Sequence, residues 1–382
     1  MGTWRTSLLR LRKSPVTPSA GNQVELMIDG QAFFSRYIEA IESAESYIFI
    51  ETYIFCDDKT GRKIQQALIS KAQKGVEVAV IFDAFGSLSL SDAFIEEMLS
   101  AGVRVHEFRP IRWTTRVSML NRRNHRKILL VDGVLGFVGG MNLADNYAAL
   151  EDGGDGWRDT AVAVQGPSLV QLESLFRAMW NKCSRIPLQS DPGHSKEYPH
   201  GHKVSFIANY GRIDRAEIHR AYIRAINGAK ESVRIATAYF TPDRRLLKAL
   251  RTAAKRGVNV EIITAGATDL EVILHASRGL YGNLLRHGVK VYEYHERVLH
   301  AKTAVVDGKW STVGSANLNH RTWILDQEVN ATILGSEFGQ KMEHQFSLDR
   351  AASRPITRQL WSNRPIWRRI TEWFFGLFRR LI

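Results

Sequence analysis

The sequence predicts an α/β protein made of one unit used twice. Two α/β/α repeats, related by a pseudo-twofold, are expected to pack together with the functional site at their interface. Four stretches of the first half recur, in order, in the second. In both halves β-branched runs of strand length alternate with helical patterns, which argues for a sheet covered by helices. Each half then ends its alternation in a hairpin that opens with a histidine and a lysine on one side.

The chain opens on a basic segment, 1–22, in which Trp4, Leu8 and Leu11 lie among Arg5, Arg10, Arg12 and Lys13. Arginine breaks it too often for a secretory signal. No later stretch approaches the roughly 18–20 apolar residues of a membrane-spanning helix, so the chain reads as intracellular.

The first unit, 23–183, runs through "YIFIETYIF" (47–55), "ALISKAQKGVEVAVIFDAFGS" (67–87), "LSAGVRVHEF" (99–108) and "HRKILLVDGVLGFVGGMN" (125–142). The second, 204–350, repeats these as "VRIATAYFT" (233–241), "ALRTAAKRGVNVEIITAGATD" (249–269), "LRHGVKVYEY" (285–294) and "HAKTAVVDGKWSTVGSAN" (300–317). Repetition of this kind organises everything else. Between the units, 184–203 is rich in Pro, Gly, Ser and His and reads as a linker. Its His194, His200 and His202 have no cysteine or carboxylate at ligand spacing, so no metal is expected there.

Equivalent positions lie 186 residues apart at Gly102 and Gly288 but only 175 apart at His125 and His300. The first unit therefore carries an insertion within 109–124. It is basic and aromatic, and reads equally as a plain surface loop and as a substrate-facing one.

Charge narrows the partners. Lys+Arg number 52 against 39 Asp+Glu, a formal charge of +13. That favours nucleic acid, an acidic membrane surface or a phosphate-bearing substrate. Cys56 and Cys183 are the only cysteines, neither in a metal-like pair, and a chain this long needs no disulfide framework.

The hairpins carry the chemistry. Residues i and i+2 of a strand share a face, so His125 points with Lys127, and His300 with Lys302. Both strands end in Asp-Gly, at Asp132 and Asp307, the strongest two-residue hairpin signal. The return strands close on small residues followed by Asn142 and Asn317. Small residues let backbone approach an anion, and an amide offers a donor. Two such hairpins about one centre suit a phosphodiester. The lysines and asparagines can hold its nonbridging oxygens as phosphorus becomes five-coordinate. One imidazole must be neutral to attack, the other protonated to supply the leaving group. A lone His-x-Lys means nothing. The full pattern arises by chance in roughly 10⁻⁴ of chains, and here it stands twice.

At these residues the chain resembles the phospholipase D superfamily, with its twice-occurring HxKx4Dx6GSxN signature. Gly140 departs from it by replacing the first serine, a change that resembles the cardiolipin synthase branch. Further likeness lies in "IETYIF" (50–55), "DAFGS" (83–87), "WRDTAVAVQGP" (157–167), "FRAMW" (176–180), "AYFTPDRRLLKAL" (238–250) and "DQEVNATI" (326–333). It covers about residues 23 to 345 and is similar to the shorter bacterial forms without amino-terminal membrane spans.

The resemblance implies metal-free, cofactor-free chemistry through a phosphohistidine, with His125 the nucleophile and His300 the general acid and later base. It counts Lys127, Asp132, Lys302 and Asp307 in the catalytic set, although turn chemistry makes the two aspartates structural. It also implies that Asp159 and Glu328 each orient the histidine of their own motif. Gly140 and Ser315 read as loop-shaping.

The tail, 351–382, separates lipid from nucleic acid. In "PIWRRITEWFFGLFRRLI", apolar residues at 366, 367, 370, 373, 374, 377, 378, 381 and 382 fall on one helical face, with arginines and Glu372 between. Such a helix fits the plane of an anionic membrane surface, the alternative being a face packed on the protein's own body. The expected activity is a cardiolipin synthase-type transphosphatidylase acting on phosphatidylglycerol, peripheral to the cytoplasmic face of a bacterial inner membrane. No nucleic acid and no obligate protein partner are expected. Phospholipase D hydrolysis, head-group exchange, a nucleic-acid phosphodiesterase and a non-catalytic membrane scaffold are the alternatives.

Overall fold

The computed structural model of the protein describes residues 17–111, 121–193, 195–210, 216–268 and 270–377. The aromatic and basic residues of the opening segment, the centre of the 109–124 insertion, His194 and the last residues of the tail, 378–382, lie outside these.

The first half contributes β1 (Ser19–Ile28), α1 (Asp29–Ser43), β2 (Tyr47–Thr52), α2 (Lys59–Gln73), β3 (Glu77–Asp83), α3 (Asp92–Ser100), β4 (Arg104–Phe108), β5 (Ile128–Val131), β6 (Leu135–Gly139), β7 (Thr160–Gln165) and α4 (Leu169–Cys183). The second contributes β8 (His202–Tyr210), α5 (Glu217–Gly228), β9 (Ser232–Thr237), β10 (Phe240–Thr241), α6 (Arg244–Lys255), β11 (Asn259–Ala265), α7 (Glu271–Arg286) and β12 (Lys290–Tyr294). It continues through β13 (Lys302–Val306), β14 (Trp310–Gly314), β15 (Leu318–Asn319), α8 (His320–Ile324), β16 (Gln327–Leu334) and α9 (Ser336–Ala351), and ends with β17 (Ser353–Ile356), α10 (Arg358–Ser362) and α11 (Ile366–Leu377).

Local chemistry starts and stops these elements. Asp58, Ser91 and Asp243 cap α2, α3 and α6 by accepting from the N–H three residues on, satisfying donors that a helix start leaves open. The central strand β2 is buried along its whole length, as a strand covered on both faces must be.

One sheet runs in the order β17-β12-β11-β9-β13-β14-β16-β8-β1-β7-β6-β5-β2-β3-β4. The antiparallel β1–β8 pair is its seam. Outward from that seam, β16, β14, β13, β9, β11 and β12 mirror β7, β6, β5, β2, β3 and β4. The seam strands were not anticipated from the repeats. β1 begins inside the stretch read as a basic segment, and β8 inside the one read as a linker.

The sheet folds over at the seam, so that β6 and β7 touch β14 and β16. Phe49, Leu130, Val162 and Phe176 of the first half share one core with Val305, Val313, Val329 and Phe338 of the second. Phe49 stacks on Phe176 with ring centroids 4.8 Å apart. Burying each such side chain stabilises the fold by roughly 1.5–3 kcal/mol, and here that term ties the halves together.

The tail is not one helix. β17 first adds to the sheet edge beside β12, with Pro355 at the edge position that proline tolerates. Arg358 then bonds the carbonyls of Leu285 and Arg286 at the end of α7, at 2.8 and 3.0 Å, filling open acceptors there. α11 packs on α7.

Candidate active site

Both predicted turns form as read. Asp132 and Gly133 have φ of 51° and 65°, Asp307 and Gly308 of 51° and 59°, the two left-handed positions of a type I′ hairpin. The aspartates hold backbone. The Asp132 carboxylate accepts from the N–H groups of Glu45, Ser46 and Tyr47 at 2.7–2.8 Å. Asp307 does the same for Lys230, Glu231 and Ser232 at 2.8–2.9 Å. Each ties the entrance of β2 or β9 to the hairpin, at the strand end remote from the histidine. This is the turn-holding place that the local sequence predicted for them.

At the other strand end the halves exchange partners. His125 N–H donates to the Gln327 carbonyl at 2.9 Å, and Gln327 N–H to Arg123 at 2.9 Å. His300 N–H donates to Arg158 at 2.8 Å, and Arg158 N–H to Val298 at 2.9 Å. Each bridge sets a histidine beside the residue before the opposite half's acid. His125 Nδ1 therefore meets Glu328 at 3.1 Å, and His300 Nδ1 meets Asp159 at 2.6 Å. Each acid meets a histidine, but that of the opposite motif and not its own. A carboxylate on Nδ1 sets the tautomer and leaves Nε2 for a ligand.

Both histidines line one cleft of about 520 Å³, together with Asn142, Asn317 and Glu328. Beneath it, Lys127 donates to the His125 carbonyl at 2.9 Å and Lys302 to that of His300. Asn142 spends one amide hydrogen on the Tyr147 hydroxyl at 2.6 Å and accepts from Ile54 N–H at 3.1 Å. The buried Asn317 side-chain oxygen has no partner among the described residues.

Electrostatics separate the imidazoles. Burial, then Lys127 and Lys302, hold His125 well below the usual histidine range. Burial pushes its partner Glu328 well above the carboxylate range. That pair is driven toward neutrality. His300 is also lowered by burial and Lys302, but Asp159 opposes the shift. Asp159 is thus the group that favours a proton on His300. Burial brings the Lys127 ammonium down to about 7.

Several neighbours escaped the sequence reading. Tyr53 packs edge-on against His125, with centroids 4.9 Å apart, and Lys127 lies over the same ring at 5.2 Å. Tyr239 also lines the cleft. It is the repeat equivalent of Tyr53, so the doubled tyrosine was a signal available in the aligned stretches. Tyr147 and Trp157 flank His300 at 5.3 and 5.7 Å, and nothing in the repeat marks them. Ser315 is more than loop-shaping, since its hydroxyl donates to Glu328.

Residues 37–180 and 222–350 match the family described as "Cardiolipin synthase, PLD-like domain". The chain is 37% identical over 354 residues to the "Major cardiolipin synthase ClsA" of Bacillus subtilis (strain 168), covering 92% of this chain and 73% of that protein. It is 36% identical over 334 residues to "Cardiolipin synthase B" of Salmonella typhi, covering 84% and 79%. In fold it is similar to the crystal structure of a phosphatidylserine synthase from Haemophilus influenzae Rd KW20. The TM-score is 0.70 and the identity 16%, over 94% of this chain and 93% of the other.

Proposed function

The chain belongs to the phospholipase D-like family of cardiolipin synthases, and from that premise we propose that it moves a phosphatidyl group between two phosphatidylglycerol molecules, forming cardiolipin and glycerol. The neutral His125 attacks phosphorus through Nε2. As the bond to the glycerol head group breaks, His300 gives its proton to the departing alkoxide. The head-group hydroxyl of a second phosphatidylglycerol then loses its proton to His300 while its oxygen attacks the phosphatidyl-histidine. The P–N bond breaks and His125 is restored. Lys127, Lys302 and the two asparagines hold the nonbridging oxygens. One phosphodiester replaces another, so the exchange is close to isoenergetic and needs no nucleotide.

The observation that carries this reading is the crossed pairing of two imidazoles with two carboxylates on one cleft. The lipid side draws support from α11. Ile366, Trp367, Ile370, Trp373, Phe374 and Leu377 stay exposed on it. It runs antiparallel to α7, with Glu372 against Gly279 and Phe375 stacked on His275 at 5.5 Å. Its apolar strip therefore leads toward the start of α7, where Leu270 and Ile273 line the cleft. No helix among the described residues is long and apolar enough to cross a membrane. We place the protein on the cytoplasmic surface of an anionic membrane, drawing both substrates from it.

Phosphatidylglycerol vesicles with chelator test the reading. The purified protein yields cardiolipin and free glycerol in equal amounts. His125→Ala and His300→Ala each lose at least about 10²–10⁴-fold in rate, and a reaction quenched with denaturant at mildly alkaline pH, where the P–N bond survives, carries lipid phosphate on His125. Phosphatidic acid as the main product, or a strict metal requirement, overturns it.

A further inference from the structure

A second concave surface lies away from the catalytic cleft, where α10 and α11 pack on α7 and α6 supplies the facing wall. It is a groove of about 800 Å³, and six basic side chains line it: Arg244, Lys248, Arg251, Arg286, Arg364 and Arg369. No carboxylate is among its lining residues. Arg364 is committed to the buried Glu372 at 2.8 and 3.0 Å, and Arg369 to the Ser362 carbonyl at 2.8 Å. Arg251 bonds Asn283 at 3.1 Å. Arg244, Lys248 and Arg286 are exposed and have no ion pair or side-chain hydrogen bond among the described residues.

The groove is a consequence of close packing. A Cβ at Gly279 would lie 3.1 Å from the Glu372 carbonyl, and one at Gly282 3.3 Å from Trp361. Side chains there would hold the tail off and open the walls. Unpaired cations in a concave wall concentrate anions. Trp361 of α10 lines the groove, and the exposed Trp373 and Leu377 of α11 line an adjoining hollow that shares Gly279, Leu280, Arg364 and Arg369 with it. Aromatic side chains beside arginines are the composition of a bilayer interface.

We propose that this groove is a second lipid site, holding the phosphate of an anionic phospholipid that stays in the bilayer while the cleft turns over others. The proposal rests on the lipid reading of the cleft but concerns residues remote from it. A resident head group here would clamp α10 and α11 to α7 and keep the cleft mouth against the membrane.

The test compares the full-length protein with the triple variant Arg244→Gln/Lys248→Gln/Arg286→Gln. Flotation is measured on phosphatidylcholine vesicles and on vesicles of phosphatidylcholine and phosphatidylglycerol in equal parts. Turnover is measured separately on a dispersed short-chain phosphatidylglycerol. The variant is expected to partition onto the mixed vesicles at least about tenfold less well. Its behaviour on phosphatidylcholine and its short-chain turnover should be unchanged. Unchanged partitioning onto mixed vesicles overturns the site, as does a short-chain rate that falls in step. Binding of inorganic phosphate or a single-stranded oligonucleotide through the same three residues, without vesicles, overturns its assignment to lipid. A wild-type protein with no short-chain turnover sinks the reading of the cleft, and the flotation arm still decides the groove.

Discussion

Gly140 and Ser315 occupy equivalent places, and their difference matches the acids they touch. A Cβ at 140 would stand 2.3 Å from one Asp159 carboxylate oxygen, whereas the Ser315 hydroxyl holds the longer Glu328. Gly140→Ala is therefore expected to push Asp159 off His300 and lower kcat by about 10²-fold, with little change in thermal midpoint. Steady-state rates on a short-chain substrate, paired with a melting curve, check it. Lys127 supplies a pH signature. Its amine is charged below about 7, so an anionic phosphodiester finds the charge in place there. Above that pH, binding must take up a proton, and affinity for a non-reactive phosphonate falls with rising pH. Titration calorimetry should show the slope and its loss in Lys127→Met. The imidazoles, lysines and asparagines were legible from sequence because the repeat wrote each twice. The crossing of the acids was not, since spacing within one motif carries nothing about which half supplies a neighbour.

At the scale of the element, the hairpin is a two-ended device. One end presents an imidazole, and the other carries a turn aspartate that binds three backbone N–H groups at the entrance of β2 or β9. Asp132→Ala strands those donors and should cost roughly 1–3 kcal/mol of stability, while kcat per folded molecule holds. Urea unfolding and active-site-normalised rates separate the two. An equal collapse of kcat would return the aspartate to the chemistry. The Asp-Gly signal predicted this turn correctly because it is local, set by two left-handed residues. The seam strands β1 and β8 were harder to see. Their pairing joins residues such as Asn22 and His202, and no local period announces such a partner. The tail's division into β17, α10 and α11 was likewise hidden, because an edge strand is defined by the sheet it joins.

For the whole molecule, the shared core and the crossed acids make the two repeats one catalytic body, while α10 and α11 lie outside that body on α7. Deleting 365–382 should therefore weaken vesicle binding and leave short-chain turnover intact. Equal loss on both substrates would make the tail a folding element instead. The two-unit architecture was legible in the repeat, yet the fold-over that brings the hairpins together depends on core contacts that composition alone does not specify. The exchange of carboxylates also sets an order in time. A chain still leaving the ribosome has no acid beside His125 until Glu328 has emerged and the later half has docked. A fragment cut short before that point keeps its first motif whole in sequence, with the imidazole untethered.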